Sequence, residues 1–243
     1  MGSEASAPKD SLQTLDEQYR RQAAWFYGVR SNLLRRVAIE GKRRVLDLGC
    51  GTGAVIEELA RRCKGQVVGL DIEAAPLNLH PGRFAASDRV IAAGGALPFP
   101  DASFDLVFTQ MLFLWAAEPG ALVREIARVL EPGCELIAAA EPDFGGRIEY
   151  PEASRLGPRM SAALRALGAD PEIARKLPEI LSREGFHVDM GVHPSLFQPD
   201  ELSAASEEER KFLASVEDRA VEKRPAATFL FMPYFWFLAR RPH

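Results

Sequence analysis

Cysteine is scarce in this chain. Three occur in 243 residues, Cys50, Cys63 and Cys134, widely spaced and odd in number. That excludes a disulfide framework and supplies no zinc-ligand spacing. Histidine is scarce too: His80, His187, His193 and His243. No pair of them stands at ligand spacing with a third donor, so no metal is expected. Charge of one sign is missing, since 30 basic residues face 34 acidic ones for a net charge of −4. Without a large positive field, nucleic acid is not an expected partner. Apolar runs are short: the one at residues 229–239 could not span a bilayer and contains Pro233, so no membrane association is expected. Residues 1–11, MGSEASAPKDS, lack the apolar core of a signal peptide and read as a disordered tail. No repeat and no low-complexity block is present. What is left is an ordinary globular composition, 47% hydrophobic, suited to a reducing, cytoplasmic setting.

Within that composition, short apolar runs alternate with amphipathic ones. Residues 12–39 read as helix, with Leu15, Tyr19, Ala23 and Phe26 at helical spacing and a break at Gly28. Strands are predicted at 44–48, 66–71, 89–92, 104–109, 135–140, 186–192 and 234–240. Helices are predicted at 54–63, 121–130, 154–167, 171–184 and 200–223. Strand–helix alternation of this kind argues for an α/β protein, a parallel sheet with helices on both faces. Pro233 cannot donate to a ladder, so the last strand starts after it.

The sharpest local signal is VLDLGCGTGAV, in which Gly49, Gly51 and Gly53 lie between a strand and a helix. Glycine permits the tight turn and lets a ligand approach the backbone. Three readings compete: a plain turn, a dinucleotide loop and a methyl-donor site. The dinucleotide reading has support, since Gly49–Ala54 fits G-x-G-x-x-A and Asp71 follows Gly51 by 20 residues. Asp47 argues against it. It stands two residues before the first glycine, where its carboxylate would repel a pyrophosphate. S-adenosyl-L-methionine carries no phosphate but two cationic groups, a sulfonium and an ammonium, so a carboxylate there is an asset.

Four blocks stand in order: VLDLGCGTG, GLDIE, ALPFPDASFDLVFTQ and REIARVLEPGCELI. With them, the chain resembles the class I S-adenosylmethionine-dependent methyltransferases, in particular the small-molecule, menaquinone-biosynthesis-like group (methyltransferase types 11 and 25). The likeness runs from about residue 45 to 140, with a tail to 240. It implies a Rossmann-like, seven-stranded, mostly parallel sheet with one antiparallel strand, at 234–240. It also implies one methyltransferase domain over 12–243, with an N-terminal helical cap at 12–40 and acceptor-side lids at 144–180 and 194–233. By the resemblance, Asp47, Gly49, Gly51 and Gly53 line the donor, Asp71 takes the ribose hydroxyls and Ile72 packs on adenine. Gln110 contacts the methionine part. Relatives often carry an Asp just ahead of Leu-Pro-Phe; here Ala93 and Gly94 stand near that place. The backbone of Ala96 and Leu97 is then expected to hold the adenine. Tyr19, Trp25 and Tyr27 fall in the region that closes over the donor.

Little catalytic machinery is required, because a sulfonium already leaves readily and alignment does most of the work. Candidate bases are Glu141, at the carboxyl edge of the fifth strand beside Asp143, and His193, with Tyr19 near the transfer point. Glu141 has a second reading, as a group bonded to backbone. Phe144, Arg147, Tyr150, Arg155, Met160, Phe197 and Phe231 mix apolar and basic character, which suits a medium-sized, anionic organic acceptor. The expected function is methyl transfer to oxygen, nitrogen or carbon of a small molecule by a monomer or homodimer. The alternatives are a non-catalytic donor-binding protein and an RNA or protein methyltransferase.

Overall fold

A computed structural model describes residues 9–150, 156–193, 199–217 and 229–243. Five strands run parallel: β1 (Arg44–Leu48), β2 (Gln66–Asp71), β3 (Asp88–Ile91), β4 (Phe104–Thr109) and β5 (Leu130–Pro142). With β7 (His187–Val192) and β9 (Tyr234–Arg240) they form a seven-stranded sheet of order β3-β2-β1-β4-β5-β9-β7. β9 is antiparallel to both its neighbours. A separate two-stranded sheet pairs β6 (Ile148–Tyr150) with β8 (Phe229–Phe231).

Alternation along the strands builds two cores. Val45, Val67, Leu106, Phe108, Ile137 and Ala139 face one side and pack with Leu33, Leu34, Ile56 and Leu59. Those partners come from α2 (Tyr27–Arg36) and α3 (Ile56–Arg62). Leu46, Val68, Val107, Leu136 and Ala138 face the other side. There they meet Leu122, Val123 and Ile126 of α5 (Pro119–Val129) and Ile173 and Leu177 of α7 (Ile173–Arg183). Both faces are covered, as a mostly parallel sheet requires. The chain winds from β1 out to β3, then back past β1 to β4 and β5. That reversal opens a crevice at the carboxyl ends of β1 and β4, where open α/β sheets bind ligands.

Four strands have the predicted bounds to the residue, β1, β2, β4 and β9. The first helical segment breaks at Phe26, not at Gly28: α1 (Lys9–Trp25) ends, and α2 begins one residue later. The break turns the Phe26 ring inward, 2% exposed, against His193 and Tyr234. Gly28 sits inside α2 with open space around it. Residues 9–11, expected in a tail, start α1, and residues 1–8 lie outside the described residues. β5 starts five residues earlier than expected, running through Pro132 and Gly133. Leu130 pairs with Phe104, the register shifts before Leu106 and Gly133 takes φ +78. The alternation of β7 buries Phe186 but leaves Met190 and Val192 exposed, because β7 is the sheet's edge. Among the described residues, no helix is long and apolar enough to cross a membrane.

Candidate functional site

The turn after β1 is a left-handed one. Gly49, Gly51 and Gly53 have φ of +78°, +53° and +80°, a region that side chains disfavour. The amides of Gly49 and Cys50 donate to the Leu70 carbonyl at 2.8 and 3.1 Å, fastening the turn to the end of β2. Space is short as well. A Cβ on Gly49 would stand 2.7 Å from Leu112 Cδ1, and one on Gly51 2.9 Å from Tyr19 Cε2. Asp71 closes the arrangement: Oδ2 accepts the Gly51 amide at 2.7 Å and Oδ1 the Glu73 amide at 3.0 Å. Each carboxylate oxygen keeps a second lone pair for a further donor.

Asp47 lies beneath this turn, 3% exposed, with Oδ2 lacking any hydrogen-bond partner. Burial, reinforced by the charge of Asp71, pushes its pKa up to about 7, while the Arg30 guanidinium opposes the rise. A buried carboxylate oxygen without a donor is costly. Its natural complement is a cation or a strong donor.

Arg30 is the residue that sequence reasoning missed. It is 3% exposed on α2. Nε and Nη2 donate to Glu58 Oε2 at 3.0 and 2.7 Å, and Nη1 donates to the Ala23 carbonyl at 2.7 Å and to Gln110 Oε1 at 3.0 Å. A signal was present: Arg30 falls on the stripe of Phe26, Leu33, Leu34 and Val37, and a cation on an apolar stripe needs a buried partner.

The ends of β4 and β5 lie side by side at the carboxyl edge of the sheet. Gln110 follows β4, and Met111 takes φ +57 with its amide on the Ala140 carbonyl at 3.0 Å. Glu141 is fully buried. Its Oε1 accepts the Leu112 amide at 3.2 Å and its Oε2 the Phe113 amide at 3.1 Å. Burial lifts its pKa to about 8, against the pull of those amides. Of the two roles open to Glu141, the backbone-bonded one is the one its geometry matches. Asp143 is likewise committed, holding Arg175 through two bonds of 2.7 Å.

On the far side of the turn, Ile72 is 67% exposed beside Asp71, an apolar side chain open to a ligand. Leu97 departs from expectation. Its amide donates to Glu125 Oε2 at 2.8 Å, and its carbonyl accepts from Arg128 Nη2 at 2.9 Å and the Phe99 amide at 2.8 Å. The Leu97 backbone is therefore engaged within the protein. Ala96 is exposed, with its amide only 3.3 Å from the Ala93 carbonyl.

The cap is pinned over the turn. Asp16 of α1 pairs with Arg83, at 2.9 Å to Nη2, and with His80 at 3.1 Å. Its burial is outweighed by those bonds, and its pKa falls to about 2. Tyr19 lies against Gly51, and burial together with the charges of Asp71 and Glu73 raises its pKa to about 12. It thus stands on the Asp71 side of the turn. His193 is not on a polar face, as β7's pattern had suggested, but is 3% exposed behind Phe26. Its Nε2 donates to the Ala139 carbonyl at 2.7 Å, and burial lowers its pKa. Arg147 is no free cation on an acceptor wall: it is buried between Glu149, at 2.8 Å, and Glu209 of α8 (Pro199–Glu217), at 3.0 Å. Arg155 and Phe197 lie outside the described residues.

A seven-stranded sheet of this order, with a glycine turn and paired aspartates at its carboxyl edge, is the Rossmann-like fold of the class I methyltransferases. The known proteins agree. Residues 46–138 match the family described as "Methyltransferase domain". The chain is 37% identical over 106 residues to the malonyl-[acyl-carrier protein] O-methyltransferase of Legionella pneumophila subsp. pneumophila, covering 42% of this chain and 37% of that protein. It is 34% identical over 146 residues to the demethylmenaquinone methyltransferase of Roseiflexus castenholzii, covering 56% and 59%. The matches thus span between about a third and three fifths of these relatives. A crystal structure of a putative methyltransferase from Bacillus halodurans C-125 superimposes with a TM-score of 0.62 at 18% identity, covering 88% of this chain and 98% of that one.

Proposed function

We propose that this protein transfers a methyl group from S-adenosylmethionine to oxygen, nitrogen or carbon of a small organic acceptor. The unpartnered Asp47 Oδ2, buried under a glycine turn that tolerates no Cβ, carries the reading. That oxygen would repel a pyrophosphate and suits the ammonium of an amino acid. When bound, S-adenosylmethionine supplies an electrophilic methyl group on a sulfonium.

The chain's own residues hold and align. Asp47 receives the donor's ammonium, and Gly49, Gly51 and Gly53 let its backbone approach. Asp71, already fixed by the Gly51 and Glu73 amides, accepts the ribose hydroxyls with its remaining lone pairs. Exposed Ile72 covers the adenine, with Ala96 at its rim, and Gln110 meets the methionine part. α1 and α2 form the cap that excludes water, and α6 (Leu156–Ala166) with α8 lies on the acceptor side. Alignment in a dry site is the main contribution.

Of the groups with titratable protons, Tyr19 stays protonated with its pKa near 12 and acts as a donor. Glu141 is a positioning residue, holding the turn after β4 through Leu112 and Phe113. His193, with Nε2 held by the Ala139 carbonyl and its ring covered by Phe26, could serve an acceptor as base through Nδ1 only if the Phe26 ring moves aside.

Incubating the protein with labelled S-adenosylmethionine and a metabolite extract tests this. S-adenosylhomocysteine should accumulate, with label in the small-molecule fraction. Donor binding without turnover would replace the reading with a non-catalytic binding protein. Label in RNA or protein would move the acceptor to a macromolecule.

A further inference from the structure

Arg30 lies outside every block that carries the family likeness, yet its guanidinium reaches the crevice. We propose that Arg30 is a positioning residue of the donor site, turning the Gln110 amide so that its N–H groups face the carboxylate of the bound donor. The proposal rests on the methyl-donor reading above.

A guanidinium has five N–H donors and no acceptor. The Gln110 atom 3.0 Å from Arg30 Nη1 is therefore its oxygen, whichever way the amide is first drawn. With Oε1 held, Nε2 and its two N–H bonds are what Gln110 has left for a ligand.

The donor's amino-acid part is a zwitterion. Asp47, with an oxygen unpartnered, complements the ammonium. A pair of N–H donors from Gln110 complements the carboxylate. Arg30 does not take that carboxylate itself, because its head is already committed. Glu58 accepts two of its bonds and the Ala23 carbonyl a third, and Glu58 also pairs with Arg62 at 2.9 Å. Arg30 thus acts through Gln110. Because it stands on α2 and bonds the carbonyl of Ala23 in α1, the orientation exists only with both cap helices docked.

Calorimetric titration of the full chain separates this role from general stability. The probes are S-adenosylhomocysteine and methylthioadenosine, which keeps the nucleoside but lacks the amino acid. Lysine cannot span Glu58 and Gln110 with one ammonium. Arg30→Lys should therefore lose about tenfold or more in affinity for S-adenosylhomocysteine and bind methylthioadenosine as wild type does. Gln110→Glu keeps an acceptor for Arg30 but offers no N–H, so it should show the same selective loss. Equal loss of both ligands, or undiminished S-adenosylhomocysteine binding in Gln110→Glu, would overturn the proposal. Should Arg30→Lys fail to fold, Gln110→Glu decides alone. A wild-type protein that binds neither probe would instead bring down the donor reading itself.

Discussion

The two halves of the sheet edge use their acids in opposite ways. At the ends of β1 and β2, Asp47 has an oxygen with no partner, and Asp71 keeps lone pairs beyond the two amides it accepts. At the end of β5, Glu141 is taken up by Leu112 and Phe113, and Asp143 by Arg175. Of these four carboxylates only Asp47 has an oxygen that accepts no bond, and Asp71 alone is partly exposed, so that its remaining lone pairs can be reached, whereas Glu141 and Asp143 are buried with each oxygen already accepting. The lesson is that position at the ligand edge does not make an acid a ligand group. Capacity that is unmet, as at Asp47, or still within reach of solvent, as at Asp71, is what leaves room for a ligand.

Substituting each acid in turn separates the two halves. Asp47→Asn should have the largest effect, weakening S-adenosylhomocysteine binding about ten- to a hundredfold, as for a lost charged hydrogen bond. The fold should stay intact, since a buried charge is removed. Its pH behaviour is a second readout. With a folded pKa near 7 against an ordinary 3.8, the folded protein holds this proton more tightly than the unfolded chain. The group's contribution therefore favours folding most at low pH, and that advantage is lost as pH rises to about 7. Denaturant titrations across that range should show a shallower decline for Asp47→Asn than for wild type. A ligand ammonium needs the ionised form, so donor affinity should rise through the same window.

Asp71→Ala should cost about tenfold in donor affinity, more than Glu141→Ala does. Calorimetry giving the reverse order would erase the contrast between the two halves. Glu141→Gln should act chiefly on the frame, because its NH2 group would face one of the two N–H groups that the separate carboxylate oxygens accept. A loss of about 1–3 kcal/mol should appear as a Tm lowered by several degrees, with donor affinity changed little. Asp143→Asn should be smallest, about 1 kcal/mol or less, since Arg175 is half exposed and its pair is screened by water. Loss of donor binding in that variant would show that the β5 acids are not merely structural.

Much of the donor half was legible in the sequence, and for a local reason. Each apolar run there is bounded by glycine, proline or a charged turn, so β1, β2 and β4 could be bounded to the residue, and Asp47 and Asp71 stand at strand ends. What escaped depends on partners distant in sequence. The role of Arg30 is set by Glu58 and Gln110, the latter 80 residues away. Leu97's amide is consumed by Glu125, an exposed-looking helix residue 28 positions later. β6 and β8 pair across some eighty residues, and each is only three long. His193 looked polar from the alternation of β7, but the inward turn of Phe26 covers it. Gly28 does not end α2, and Pro132–Gly133 shift the register of β5 against β4 without ending the strand, because packing of Phe26 and pairing of Leu130 outweigh local preference.

The most direct measurement is titration of the wild-type protein with S-adenosylhomocysteine and, in parallel, with NAD. Saturable one-to-one binding of S-adenosylhomocysteine, tightening as pH is raised through about 7, and no binding of NAD are expected. Saturable NAD binding with none of S-adenosylhomocysteine would contradict the methyl-donor reading.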